Sequence, residues 1–321
     1  MEYLRELKTM AISLVEWSRR NVALAFLLAV VAALIVYFFG FVPLYAGRSQ
    51  SIWTWAWLRY LPQYNQEHSK LIPLAIIFLL WYHRKRIAAA AGPGSNFGLI
   101  ALFFGVAMYV VAARALQPRV ALFGMPFLFY GIVMFVWGTK LARVLFFPIA
   151  LLFFMIPLGA IEQMTFRLQF LIIGIVKMLS SLCGIALYTV GTTIQPVNNA
   201  WGFDIAEGCS GIRSLIAMIM ITMLFVHLCE PVFWKKIVLV AASVLFAVIG
   251  NAGRIFTITL IAQMGYPKFA GGIYHDWSSQ LIFFPIALAS MLGFAKLLNF
   301  REWWAKKVPL AGEKKAVVYD Y

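Results

Sequence analysis

The chain has 321 residues, 63% of them hydrophobic and 12% charged, against the roughly 45–50% apolar content usual in soluble domains. Its apolar residues gather into runs near the ~20 residues that cross a bilayer, which excludes a soluble globular protein and specifies a polytopic membrane protein. The formal net charge of +15 comes without the basic–aromatic constellation of a nucleic-acid surface; it suits basic residues that orient a membrane protein and meet anionic lipid.

Residues 1–21 read as a cytoplasmic amphipathic segment. The first apolar run, 22–42, lacks a small-residue cleavage site and reads as a retained anchor. Seven further spans follow, at 70–83, 97–113, 120–138, 141–158, 211–228, 237–262 and 277–298. The second is short and extends back through 65–70. The fourth and fifth are joined by a very short turn at 139–142. The expectation is an all-α polytopic protein, one integral membrane domain with about eight transmembrane helices.

With the N-terminus inside, 17 of the 27 Lys and Arg residues fall on the inner side, as the positive-inside rule requires. They include Arg84, Lys85 and Arg86, the pair Lys235 and Lys236, and the basic tail 299–321. Two outer segments stand out. Residues 43–69 carry Trp53, Trp55 and Trp57, suited to the headgroup layer. Residues 159–210 begin with "IEQMTFRLQFLIIGIVKMLSSLCG", which spaces Glu162, Arg167 and Lys177 among apolar residues and predicts an interfacial amphipathic helix. They continue as "IALYTVGTTIQPVNNAWGFDIAEG", where β-branched and aromatic runs broken by Gly, Pro and Asn predict an extracytoplasmic β-hairpin.

That hairpin delivers the chain to Cys209, in "AEGCSGIRSL". Alone, a membrane-edge Cys is a small apolar filler. Here Gly208 and Gly211 let backbone approach, a helix starts just after, and Arg213 lies four residues on; the helix start and the guanidinium favour thiolate. Glu207 opposes them if it faces the sulfur, or else neutralises Arg213. Cys183 should also lie outside, so a structural Cys183–Cys209 disulfide is the competing use of that thiol. Arg254 stands in an otherwise apolar span, about 26 Å up the helix from Ile237 at 1.5 Å per residue. An intramembrane Arg marks a functional site by default; the bland reading is snorkelling to headgroups. Asn251 lies one turn earlier and can orient it. His275, with Asp276 beside it, falls at the same outer level just before the last span, where a lone His more often serves as a headgroup partner. His68 is a secondary candidate on the same side. The three Cys and four His show no paired metal-ligand spacing, and no Gly-rich phosphate loop is present, so neither metal nor cofactor is expected. A Cys, a His and an Arg on three successive spans at one edge match nucleophile, base and oxyanion or carboxylate partner.

"AEGCSGIRSL" at 206–215, "NAGRI" at 251–255 and "YHD" at 274–276 resemble, in order and spacing, the three motifs of the exosortase/archaeosortase family. The likeness covers most of residues 65–298. It implies a membrane cysteine transpeptidase of exported proteins that carry a C-terminal sorting signal: a short motif such as Pro-Glu-Pro (PEP-CTERM), one transmembrane helix and a basic cluster. It places the family's catalytic residues on Cys209, Arg254 and His275, with Arg213 in support. His at the third position points to the bacterial exosortase branch, since archaeal relatives carry Arg, and hence to the bacterial inner membrane with the site on its outer face. Gly208 departs mildly from the family, where Ala is more usual. Implied partners are tailed exported proteins, membrane lipid and a lipid or glycan amine acceptor, and not nucleic acid. Two rival readings are a transporter of an anionic solute, which predicts an internal repeat and broken helices in pairs, and a non-catalytic assembly or export factor whose polar residues only pair helices.

Overall fold

The structure, a computed structural model, describes residues 21–45, 50–61, 67–157, 160–205 and 211–299. The N-terminal segment before Asn21, the tail after Asn299 and residues 206–210, which carry Glu207 and Cys209, lie outside the described residues. The chain forms two compact units, one of Met1–Tyr64 with Ser69–Pro157, the other of Asn65–His68 with Leu158–Tyr321.

In the first unit, α1 (Val22–Gly40) is followed by a short strand pair, β1 (Pro43–Tyr45) and β2 (Gln50–Ser51). Next comes α2 (Ile52–Arg59), capped by the Ser51 hydroxyl, which accepts from Thr54 N–H at 3.3 Å. Of the three tryptophans expected at the headgroup layer, Trp53 and Trp57 are exposed. Trp55 is buried, with the Arg119 guanidinium 5.7 Å from its ring. Then come α3 (Ile72–Tyr82), α4 (Arg84–Ala90), α5 (Gly98–Ala115) and α6 (Pro118–Met155).

A glycine seam joins α5 to α6. A Cβ on Gly98 would meet Gly131 O at 2.6 Å, one on Gly131 would meet Leu102 N at 2.6 Å, and one on Gly124 would meet Gly105 O at 2.9 Å. In lipid, where apolar burial gives helices no preference for one another, such backbone approach is a main source of association. The 38 residues of α6 would reach about 57 Å if straight, far beyond a ~30 Å hydrocarbon core. They do not run straight. Gly138 adopts φ +86°, ψ 177°, a conformation open to glycine alone. The halves fold back on each other: Tyr130 meets Phe146 at 6.0 Å and Phe123 meets Phe153 at 5.3 Å between ring centroids, pairs spaced equally on either side of Gly138.

Among the described residues, six helices are long and apolar enough to cross a membrane: α1, α5, α6 and, in the second unit, α8 (Ile212–Cys229), α9 (Phe233–Gln263) and α10 (Pro267–Leu298). The expected count of about eight differs at the second span, which is a shorter apolar helix, His68–Tyr82. The fourth and fifth spans are the two halves of α6, which reverse at Gly138, one residue before the short turn expected at 139–142.

The second unit opens with the amphipathic helix α7 (Ala160–Leu182). It leads into β3 (Leu187–Val190) and β4 (Thr193–Pro196), paired antiparallel from Leu187–Pro196 to Val190–Thr193. Gly191 takes φ +62° in the two-residue turn, as primed hairpin turns require. A third strand, β5 (Phe203–Asp204), joins β4. One core unites helix, sheet and bundle: Ile172 and Val176 of α7, Ile194, Trp201 and Ile205 of the sheet region, and Ile255, Ile258 and Ala262 of α9. Below it, α8, α9 and α10 pack in layers through Met218, Ala247 and Ala287, then through Val226, Leu239 and Ala295. At the far end, Glu230 Oε2 accepts from Asn299 Nδ2 at 2.8 Å, and Asn299 Oδ1 accepts from the buried Lys235 Nζ at 2.6 Å. α10 is not uniform: Ala270–Tyr274 and Ser279–Phe283 are π-helical, and Gly272 is non-helical at φ −105°, ψ −112°.

Candidate active site

α8 starts at Ile212, with Gly211 as the residue before its first turn at φ +75°, ψ 3°. A Cβ on Gly211 would lie 2.5 Å from Asn251 Nδ2, so both the backbone angle and the space demand glycine. The start of α8, three residues after Cys209 in sequence, is thereby seated against α9. Ser214 Oγ donates to Gly211 O at 2.9 Å, fixing the first turn.

On α9, Asn251 and Arg254 are each 5% exposed. Arg254 Nη1 donates to Asn251 Oδ1 at 3.4 Å, and Nη2 faces His275 on α10, at 3.1 Å from Nε2 and 3.3 Å from the carbonyl oxygen. A guanidinium only donates, so Nε2 accepts and the imidazole proton resides on Nδ1. That nitrogen donates to Asp276 Oδ1 at 3.0 Å. The side chains form one chain: Asn251, Arg254, His275, Asp276. Its inner end is buried and its outer end meets solvent, with side-chain exposure of 31% for His275 and 72% for Asp276. A second tie holds the two helices in this relation. Tyr274 Oη donates to Thr257 Oγ1 at 2.8 Å, and Thr257 Oγ1 donates to Arg254 O at 2.8 Å. The π-helical stretches bracket His275 on both sides, a distortion frequent at functional sites.

A cleft of about 550 Å³ opens over this chain, lined by Gly211, Arg213, Ser214, Arg254, His275, Asp276, Ser279 and Gln280 among others. Five residues singled out in the sequence therefore converge: Arg213, Arg254, His275 and Asp276 line the cleft, and Asn251 supports Arg254 from behind. Cys209 and Glu207 lie outside the described residues. His68 is buried and is not among the described residues lining the cleft. Cys183, the proposed disulfide partner, carries an exposed free thiol.

Three contributors escaped sequence reasoning. Gln169 of α7 is 2% exposed and donates from Nε2 to Ile205 O at 2.8 Å, fixing the chain four residues before Cys209. The sequence signal was a polar residue set among the apolar positions of an amphipathic helix, "FRLQFLIIGIV". Thr257 and Tyr274 act as a pair across two helices, which one sequence does not reveal. Chemically, the cleft offers two guanidinium groups for an oxyanion or carboxylate and an imidazole whose tautomer is set by a carboxylate.

A family model described as transmembrane exosortase matches residues 55–293. No curated protein and no solved structure matches the chain.

Proposed function

The chain belongs to the transmembrane exosortase family, a family of membrane protein-sorting enzymes, and from that premise we propose that it is a cysteine transpeptidase. Its substrates are exported proteins with PEP-CTERM-like tails, and its site faces the outer side of a bacterial inner membrane. The observation that carries the reading is the Arg254–His275–Asp276 chain, set beside a helix that begins three residues after Cys209.

The substrate's sorting helix lies beside the bundle, with its basic cluster on the cytoplasmic side and its cleavage motif at the cleft. As the scissile carbonyl oxygen enters the cleft, it competes as an acceptor with His275 Nε2 for Arg254 Nη2. The guanidinium turns to the carbonyl oxygen, where it will meet the oxyanion, and leaves the Nε2 lone pair open. His275 then takes the Cys209 proton, while Asp276 holds the Nδ1 proton in place. The thiolate attacks the carbonyl carbon and forms a C–S bond. The scissile C–N bond breaks, and the leaving amine takes the proton from His275. Arg213 adds positive potential on the same wall of the cleft. An acceptor amine, of lipid or glycan origin, or water then resolves the thioacyl-enzyme.

Co-expression with a protein bearing a Pro-Glu-Pro tail tests this. Wild type should shorten the tail, and Cys209→Ala should lower processing by about a thousandfold or more. Processing by the alanine variant at the wild-type rate would sink the assignment. Labelling of Cys209 by a membrane-impermeant maleimide from the outer side only is the expected topology result.

A further inference from the structure

His275 borders a second cavity as well as the cleft. This cavity, about 280 Å³, is walled by Ile194, Phe203 and Asp204 of the sheet, by Ile258 and Thr259 of α9, and by Gly271 of α10. Gly271 lets the sheet close against α10, since a Cβ there would meet the Phe203 ring at 2.7 Å. Among the described residues, His275 alone lines both spaces. Their charge differs. Two arginines face the cleft beside Asp276, whereas Asp204 is the one acidic side chain of the second cavity and no Lys or Arg is among its described lining residues. Thr192 Oγ1 donates to Asp204 Oδ1 at 2.6 Å and so orients the carboxylate; a carboxylate has further lone pairs to offer.

A transfer enzyme must bring two substrates to one carbonyl. Where the sorting signal fills the cleft, an acceptor arriving by the same route has to cross it. We infer that the second cavity is the entrance for the acceptor, and that the acceptor presents a primary alkylammonium group. Asp204 holds the cation, the Ile194, Phe203 and Ile258 wall covers its carbon chain, and the imidazole lines the same space. The volume is below the ~300 Å³ at which drug-sized pockets begin, so it suits a single amine head group rather than a peptide segment. The inference rests on the transpeptidase reading above. The ammonium loses one proton to water, and its nitrogen lone pair attacks the thioester carbon. A C–N bond forms, the C–S bond breaks, the sulfur leaves as thiolate, and His275 receives the second nitrogen proton.

The test uses the full chain in phosphatidylcholine nanodiscs with a tailed substrate, and mass spectrometry of the products. Near neutral pH, ethylamine competes as a cation and hydroxylamine as an uncharged nucleophile. Asp204→Asn should lower the ratio of ethylamine adduct to hydroxylamine adduct by up to about fivefold, the upper end of what one exposed ion pair contributes, and Asp204→Glu should restore most of it. A variant that is merely misfolded loses both adducts together. An unchanged ratio therefore overturns the inference, whether yields fall or not. Replacing part of the lipid with phosphatidylethanolamine identifies the source: a lipid-linked product assigns a membrane amine, and ethylamine adduct without lipid adduct assigns a soluble one. Hydroxylamine capture with neither amine adduct in wild type overturns the inference. Adducts that persist in Cys209→Ala would remove the thioacyl reading itself, a result distinct from any outcome at Asp204.

Discussion

Arg254 holds Asn251 Oδ1 through Nη1 and both Nε2 and the carbonyl oxygen of His275 through Nη2, and that division between two nitrogens depends on a planar, multi-donor head group. A lysine ammonium keeps the charge but not the fork. Arg254→Lys should therefore leave expression intact and lower tail processing about a hundredfold, the usual cost of one lost oxyanion donor; processing within twofold of wild type would contradict the role. Gly211 is constrained differently. Gly211→Ala introduces a Cβ against Asn251 at φ +75°, so the start of α8 must shift. A loss of about 1–3 kcal/mol in stability follows, visible as a lower melting temperature together with lower processing. Arg254, Asn251 and His275 were legible in the sequence because each is polar where the surrounding run is apolar. What the sequence did not carry was the proton on Nδ1, fixed by a contact across two helices, nor the value of Gln169, whose partner is a backbone carbonyl 36 residues away.

At the scale of elements, α7 and the sheet act as the support for the segment that bears Cys209. Gln169→Leu removes the one described side-chain bond to Ile205 O while keeping α7 apolar on that face. In a Cys183→Ser, Cys229→Ser background, maleimide labelling of Cys209 should rise several-fold and processing should fall about tenfold, the factor that ~1.4 kcal/mol of lost positioning gives. Unaltered labelling would mean that Gln169 only stabilises the sheet. The hairpin and α7 were readable because strand alternation, turn residues and helical amphipathicity are local patterns. The reversal in α6 was legible as a short turn at 139–142, beside Gly138, Lys140 and Arg143, but only the backbone angle at Gly138 shows at which residue the chain turns. The glycine seam gives a prediction for the first unit: Gly131→Val drives a branched side chain into Leu102 N and Gly98 O. It should lower the melting temperature of the purified chain by several degrees, since overpacking costs about 1–3 kcal/mol.

Across the whole molecule, the described contacts of the second unit place two polar groupings at opposite ends of the α8–α9–α10 bundle. One is the hydrogen-bonded chain of Arg254, His275 and Asp276. The other is the Glu230–Asn299–Lys235 knot, where the C-terminal ends of α8 and α10 meet the N-terminal end of α9. Asn299→Ala leaves a buried cation and a buried carboxylate without their bridge. The expected result is a stability loss of about 2–4 kcal/mol, read as a lower melting temperature, with processing per folded molecule retained. Tied at the base, with α9 and α10 joined at the tip by the hydrogen bonds of one arginine, the three helices are levers about a common pivot. α8 is 18 residues long, or about 27 Å, so a tilt of about 5° at the knot parts the tips by about 2 Å.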